Sequence, residues 1–119
     1  MFVIRNEQLK ILEEYIRGEF IDRVAAGLRK NFTRQTAGMD DQSLRKFIEG
    51  GIVKASGYGI SEEEDVEKYV GLMCTHGADF DTNPKTSWAG EILRPKDTDG
   101  IRKMRRLLKR TLLMKEGFL

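Results

Sequence analysis

The side chains best suited to nucleophilic or metal chemistry are scarce in this sequence. Cys74 is the only cysteine and His76 the only histidine. A nucleophilic Cys–His pair needs the two side chains in contact, whereas residues two apart on a helix point to different sides. A zinc site would need further cysteine or histidine ligands. We therefore expect no catalytic residue, no metal site and no cofactor, and we predict that the protein is not an enzyme.

Three oxygen-bearing side chains stand at alternate positions, as in the opening of a calcium-binding loop. Asp79, Asp81 and Asn83 reproduce the Asp-x-Asp-x-Asn start of that loop. The pattern then fails, because Pro84 stands where the loop requires Gly and Gly90 where it requires a bidentate Glu. A polar turn that caps the following helix is the better interpretation.

A basic segment near the C-terminus could bind anions. Residues 94–116 hold nine Lys/Arg and three Asp/Glu, whereas residues 61–91 hold two Lys/Arg and eight Asp/Glu. The basic side chains could bind nucleic-acid phosphates or an acidic protein surface. A solvated face that pairs with the acidic segment of the same chain is favoured over both. The residues predicted to contact a partner are Arg102, Arg105, Arg106 and Lys109.

Nucleic acid is the disfavoured partner for this basic segment. No recognition-helix motif is present, and no aromatic residues alternate with the basic ones. Binding to nucleic acid through the last helix nevertheless remains an alternative function.

Five helices are expected to position these residues, and no strand is predicted. Apolar residues recur at steps of three or four, which is the spacing of a helix with one buried face. The predicted helices span about residues 6–32, 41–56, 61–76, 84–93 and 98–115. With short connections between them, they predict an all-α fold in which residues 1–119 form a single compact bundle.

The first segment is expected to form a long amphipathic helix that buries an apolar stripe, with a break or bend near Gly18 or Gly27 left open. The stripe comprises Leu9, Leu12, Ile16, Phe20, Val24, Leu28 and Phe32. The polar residues 33–39 that follow are predicted to form a loop.

Local signals define the other helices. Gly51 lies on the apolar face of the second helix and would allow another helix to approach closely. Ser61 followed by Glu64 matches a capping box. Asn83 before Pro84 is a strong signal for a helix start.

Composition places the chain among polar, highly charged proteins. Hydrophobic residues make up 39%, charged residues 34%, and the net charge is only +2. No stretch approaches the roughly 20 apolar residues of a membrane span. The first ten residues carry charges in place of the apolar run of a signal peptide, and a single cysteine suits a reducing compartment. We expect a cytoplasmic protein without membrane association.

Several short motifs cover most of the chain up to about Leu93. They are Ile-Arg-Asn-Glu-Gln (4–8), Tyr-Gly-Ile-Ser-Glu-Glu-Glu-Asp-Val (58–66), Tyr-Val-Gly-Leu-Met (69–73), Gly-Ala-Asp-Phe-Asp-Thr-Asn-Pro (77–84) and Trp-Ala-Gly-Glu-Ile-Leu (88–93). Together they resemble a group of small bacterial proteins encoded near type VI secretion effectors and their spike components.

This resemblance implies an accessory role with a protein partner. The leading hypothesis is a chaperone or adaptor for a secreted effector, and the alternative is an immunity protein that neutralises a toxin. The resemblance implies no catalytic residue. It singles out the turn with Asp79 and Asp81, together with Trp88, as predicted partner contacts, and it leaves a homo-oligomer open.

Overall fold

Helices account for all regular secondary structure in residues 6–115 and 117, the residues that the computed structural model describes. In chain order they are α1 (Asn6–Asn31), α2 (Thr33–Thr36), α3 (Asp41–Gly57), α4 (Glu63–His76), α5 (Ser87–Leu93) and α6 (Gly100–Lys115), with one 3₁₀ turn (Pro84–Thr86) before α5. The predicted all-α bundle is confirmed, with one short helix more than expected. None of the described helices is long and apolar enough to cross a lipid bilayer.

Two of the predicted helix boundaries are confirmed by their local geometry. The Asn83 side chain accepts a hydrogen bond from the Lys85 amide at 2.9 Å, and Pro84 follows as the first residue of the 3₁₀ turn. At the end of α4, Gly77 adopts a φ of 107°, which strains any residue with a side chain. These signals depend only on neighbouring residues, so the sequence suffices to place them.

Two other local predictions are wrong. Helix α4 begins at Glu63 with Glu62 at the N-cap, and no side chain caps it, so the capping box of Ser61 and Glu64 does not form. Acidic side chains in the first turn stabilise the helix dipole without that box. The segment 33–39 is not all loop, because α2 forms one turn in which the hydroxyl of buried Thr36 donates to the Phe32 carbonyl at 2.9 Å.

The hydrophobic core lies between the second half of α1, α3, α4, α5 and α6. Tyr69 of α4 and Phe80 of the following turn are its largest fully buried side chains, with ring centroids 5.1 Å apart. From the other elements the core takes Phe20, Ile21, Val24, Leu28, Leu44, Ile48, Leu93, Met104 and Leu107.

The first half of α1 does not contribute to this core. Leu9, Leu12 and Ile16 are 43%, 43% and 49% exposed, so the predicted continuous buried stripe is wrong for this part of the helix. Burial begins at Phe20. The radius of gyration is 15.9 Å, against about 13.5 Å expected for a compact chain of this length, so the fold is elongated.

Helices α3 and α4 approach closely at Gly51, as predicted. A Cβ atom on Gly51 would lie 2.7 Å from Val70 Cγ2 and 2.9 Å from Met73 Sδ. The start of α6 is held in a similar way, since a Cβ on Gly100 would lie 2.8 Å from the Cα of Ile60 and would also clash with the Gly59 carbonyl. Both glycines are therefore required by packing.

We predict that Gly51→Ala destabilises the fold, whereas Gly50→Ala stabilises it. The added methyl at position 51 forces the Val70 and Met73 side chains apart, and overpacking of this kind costs about 1–3 kcal/mol. No atom lies within 4 Å of the same methyl at position 50, so that variant gains up to about 1 kcal/mol of helix propensity. Urea denaturation of both variants tests the pair, and equal shifts would contradict the close approach.

Candidate functional site

Trp88 of α5 contacts the end of α4 and a side chain of α6. Its half-buried ring meets the His76 ring edge-on, with centroids 5.4 Å apart, and the Arg110 guanidinium lies 5.8 Å from the Trp88 centroid. The indole therefore contacts both the end of α4 and α6. The contacts around Trp88 fix the position of α5 in the bundle.

Asp81 is buried, with 5% of its surface exposed, and its carboxylate is bound within the chain. The Tyr58 hydroxyl donates to Asp81 Oδ2 at 2.7 Å, and Lys54 Nζ donates to Oδ1 at 3.3 Å. Lys54 Nζ also donates to the Ala78 carbonyl at 2.9 Å. Burial, then the hydrogen bond to Asp81 and its negative charge, raise the pKa of Tyr58 to about 12. The carboxylate thus ties the turn before α5 to the end of α3.

Lys103 extends this polar cluster to α6 and is a residue that the sequence prediction missed. Its side chain is buried, and Nζ donates to the Tyr58 carbonyl at 2.9 Å while lying 6.0 Å from the centroid of the Tyr58 ring. The one sequence feature that could have indicated the burial of Lys103 is its position next to Met104, on the apolar face of α6.

Asp79 and Asp81 occupy different environments. Asp79 is exposed, its backbone carbonyl accepts the Thr82 and Asn83 amides at 2.9 Å, and its carboxylate is 3.4 Å from Asn83 Nδ2. The segment is therefore a hydrogen-bonded turn. Within the described residues, no group of three or more His, Cys, Asp or Glu side chains could hold a metal ion.

The four predicted cationic contacts form one exposed stripe on α6. Arg102, Arg105, Arg106 and Lys109 lie at i, i+3, i+4 and i+7, on the side of α6 opposite the buried Met104 and Leu107. Arg102 Nε is 3.7 Å from Asp99 Oδ2.

The expected pairing of this stripe with the acidic helix α4 is not formed. In residues 6–115 and 117, no ion pair joins the exposed cations of α6 to α4. Instead, Glu63 of α4 pairs with Arg23 of α1 at 2.6 Å. The stripe therefore remains an open cationic surface.

Cys74 and His76 are each set in apolar surroundings. Burial raises the pKa of the Cys74 thiol and lowers the pKa of His76. His76 Nε2 is buried without a hydrogen-bond partner among the described residues. Its ring contacts are Phe80 and Trp88, at centroid distances of 6.2 and 5.4 Å. These surroundings favour the neutral thiol and the neutral imidazole.

Among the described residues, five of the nine exposed large apolar side chains lie on the first half of α1, residues 6–19, which we call the α1 arm. Every residue of the arm is exposed except Gly18, which is half-buried. Its exposed large apolar side chains are Leu9, Ile11, Leu12, Tyr15 and Ile16. Ile11 and Tyr15 are 67% and 63% exposed. Apolar side chains clustered in this way, on one helical segment, are typical of an interaction surface.

Helix geometry explains why Leu12 does not lie on the same side of α1 as the buried Leu28. The apolar positions from Leu12 to Leu28 are spaced by four residues, while one helical turn takes 3.6. Each step therefore advances the apolar position by roughly 40°, and Leu12 and Leu28 point roughly 160° apart. The second half of α1 faces the bundle, Leu12 points away from it, and Ile16 lines a hollow at its edge.

A hollow of about 290 Å³ lies where the arm meets the bundle. It is lined by Glu13, Ile16, Arg17 and Phe20 of α1, and by Ile52, Ser61, Glu63 and Val66. Its apolar residues adjoin the exposed stripe of the arm through Ile16. Charged side chains of both signs line it alongside these apolar residues.

Comparisons of the chain with protein-family models, with curated proteins and with solved structures gave no match. The resemblance to proteins of type VI secretion loci therefore stays a prediction, as does the function inferred from it. In the first of its motifs, Ile4 and Arg5 lie outside the described residues.

We predict that Asp81→Ala destabilises the fold by about 2 kcal/mol, because it removes the charged acceptor of two buried or half-buried donors. The matched variant Asp79→Ala removes an exposed carboxylate and should change the stability by less than about 0.5 kcal/mol. Thermal denaturation distinguishes them. A larger loss for Asp79→Ala would show that the turn, and not the buried carboxylate, holds α5 in place.

We also predict that the free energy of unfolding falls on mild acidification because of His76. Its folded pKa is below the ordinary 6.5, so the unfolded chain binds the proton more readily. This contribution is full above a pH of about 6.5 and is lost as the pH falls from there to the folded pKa. His76→Gln should give a flatter stability profile between about pH 7.5 and 5.5 in chemical denaturation. Parallel profiles would contradict the assignment.

Proposed function

We propose that this protein is a non-catalytic protein-binding domain that acts as a chaperone or adaptor for a secreted bacterial effector, and that the α1 arm holds the partner. The observation that carries the binding proposal is the set of five exposed large apolar side chains on the arm. The effector proposal rests on the resemblance of the sequence motifs.

The exposed arm favours binding on energetic grounds. Removing apolar surface from water contributes about 25 cal/mol per Å² toward a complex, against which the entropy costs of association are set. Leu9, Leu12 and Ile16 lie at i, i+3 and i+7, which is the spacing at which one helix face packs against another helix or into a groove. Tyr15 adds an aromatic side chain to this face, a type enriched at binding hot spots.

The part of α1 that follows the arm is packed in the bundle. Phe20, Ile21, Val24 and Leu28 anchor the second half of α1 in the core. Because the arm continues an anchored helix, it needs no new helix nucleus, and less ordering is required on binding.

Two alternatives predict different partners. An immunity protein would bind a toxin and abolish its toxicity in the cell, whereas a chaperone would raise the solubility or delivery of an effector. A nucleic-acid-binding domain is favoured by one observation, the exposed cationic stripe on α6 that makes no ion pair with α4 among the described residues, and it would lose its ligand as the salt concentration rises.

We predict that a double variant of the arm, Leu12→Gln with Ile16→Gln, loses the partner protein. Both changes replace an exposed apolar side chain by a polar one that helices tolerate, so stability should be unaffected. The matched control, Val53→Gln with Ile101→Gln, changes two exposed apolar residues on α3 and α6. Tagged proteins co-expressed with the neighbouring genes are purified at high salt, and the stoichiometric partner is quantified.

The wild type and the control should retain the partner, and the arm variant should lose at least about tenfold of it, since hot-spot losses reach 2 kcal/mol and more. Equal retention by both variants would contradict the arm as the binding surface. Recovery of nucleic acid alone, released by nuclease, would instead favour α6, and the alanine variants of Arg102, Arg105, Arg106 and Lys109 would then be the test.

A further inference from the structure

We infer that the cationic stripe of α6 is a docking surface for a second copy of this chain, and that it contacts the acidic start of α4 in that copy. This inference does not rest on the proposed function, because the α1 arm takes no part in the contact. It follows from the exposure, the position and the pairing of the charged side chains along α6 and at the start of α4.

The cationic half of the contact is the stripe on α6. Its four side chains are exposed, and Arg102 Nε is 3.7 Å from Asp99 Oδ2. Arg105, Arg106 and Lys109 form no ion pair with any described residue. These three cations are therefore available to carboxylates from outside the chain.

The acidic half is the start of α4, which lies beside the start of α6. A hollow of about 570 Å³ at this place is lined, among the described residues, by no Lys or Arg but by Glu62, Glu63, Glu64, Asp65 and Ile101. Glu63 is paired with Arg23 of α1, whereas Glu62, Glu64 and Asp65 form no ion pair within the described part of the chain. Lys68, the next cation along α4, lines a separate hollow between α1 and α4.

The two halves adjoin on one side of the molecule. Ile101, which lines the acidic hollow, directly precedes Arg102 of the stripe, and Lys109 lies about 12 Å further along α6. Negative charge therefore lies at the start of α6, and positive charge lies along the rest of it. In a second copy related by a twofold axis, the order of the charges is reversed, so each half meets the opposite half of its partner.

Other occupants fit this surface less well. Nucleic acid or an acidic protein would bind the stripe, but Glu62 and Asp65 beside it would repel either of them. A basic protein would be repelled by the stripe itself. An occupant with charges of both signs is required, and a second copy supplies it. The pairing of α6 with the acidic helix, which one chain does not form, is then made between two chains.

The dimer should be weak and sensitive to salt, because exposed ion pairs are individually weak and are screened by ions. Sedimentation velocity of the full chain, at concentrations up to about 0.5 mM, measures the association. We expect a dimer at about 0.05 M NaCl, and a dissociation constant at least about tenfold higher at about 0.5 M NaCl.

Two charge-reversed variants test the pairing directly. Arg105→Glu with Lys109→Glu makes the stripe acidic, and Glu62→Lys with Glu64→Lys makes the start of α4 basic. Each variant alone should be monomeric at about 0.05 M NaCl, since its two halves then carry charges of the same sign. An equimolar mixture should form a heterodimer, because both contacts again join opposite charges. Circular dichroism establishes that each variant is folded.

The matched control is Lys46→Glu with Lys85→Glu, which changes the net charge by the same amount as the variant of the stripe. Both lysines are exposed, on α3 and on the 3₁₀ turn. This control should dimerise as the wild type does. A loss of dimer equal to that of the stripe variant would show that net charge, and not the stripe, decides association.

Other results would overturn the inference. They are a wild type that stays monomeric at low salt, a dimer that both charge reversals leave intact, and a mixture of the two folded variants that stays monomeric. A monomeric wild type that binds a short DNA duplex through the stripe would assign α6 to nucleic acid instead. Because the arm is tested at high salt, where this dimer dissociates, failure of one proposal leaves the other unaffected.

Discussion

A carboxylate that is almost fully removed from water must find its partners inside the fold. Asp81 finds them at the end of α3, where Lys54 and, just past the helix, Tyr58 donate to its two oxygens. Lys103 of α6 joins the same cluster through the Tyr58 carbonyl. The backbone takes part as well, since a Cβ on Gly90 of α5 would come within 2.8 Å of the Asp81 carbonyl. One buried turn therefore sets the positions of α3, α5 and α6 relative to one another.

The sequence was sufficient wherever structure depends on neighbouring residues or on a steady apolar period. It predicted the helices from α3 onward, the cap at Asn83 and the close approach at Gly51. It was insufficient where a tertiary contact decides. Whether Lys103 points to solvent or into the bundle depends on the Tyr58 carbonyl, which lies 45 residues away in the chain. Likewise, Glu63 pairs with Arg23 of α1 and not with α6, which only the packing of α1 on α4 determines.

The arm of α1 marks a different limit of sequence reasoning. Apolar residues three or four positions apart suggest a single helix face. Each step of four residues, however, moves the apolar position around the helix by roughly 40°. The same regular spacing that predicts burial of Leu28 therefore places Leu12 on nearly the opposite side. A helical-wheel calculation would have separated the two faces, but it could not have shown which of them the bundle covers. The sequence pattern alone therefore did not reveal that the first half of α1 is an exposed apolar surface.

The division of α1 into an anchored half and an arm has a physical consequence for binding. An isolated segment of the arm's length would be a marginal helix in water, because nucleation is unfavourable. Here the nucleus is provided by the turns that Phe20 and Val24 fix in the core, so the arm only has to propagate a helix that already exists. The exposed side chains of the arm are thus carried on a preformed helix, and the absence of core contacts leaves them free to change conformation.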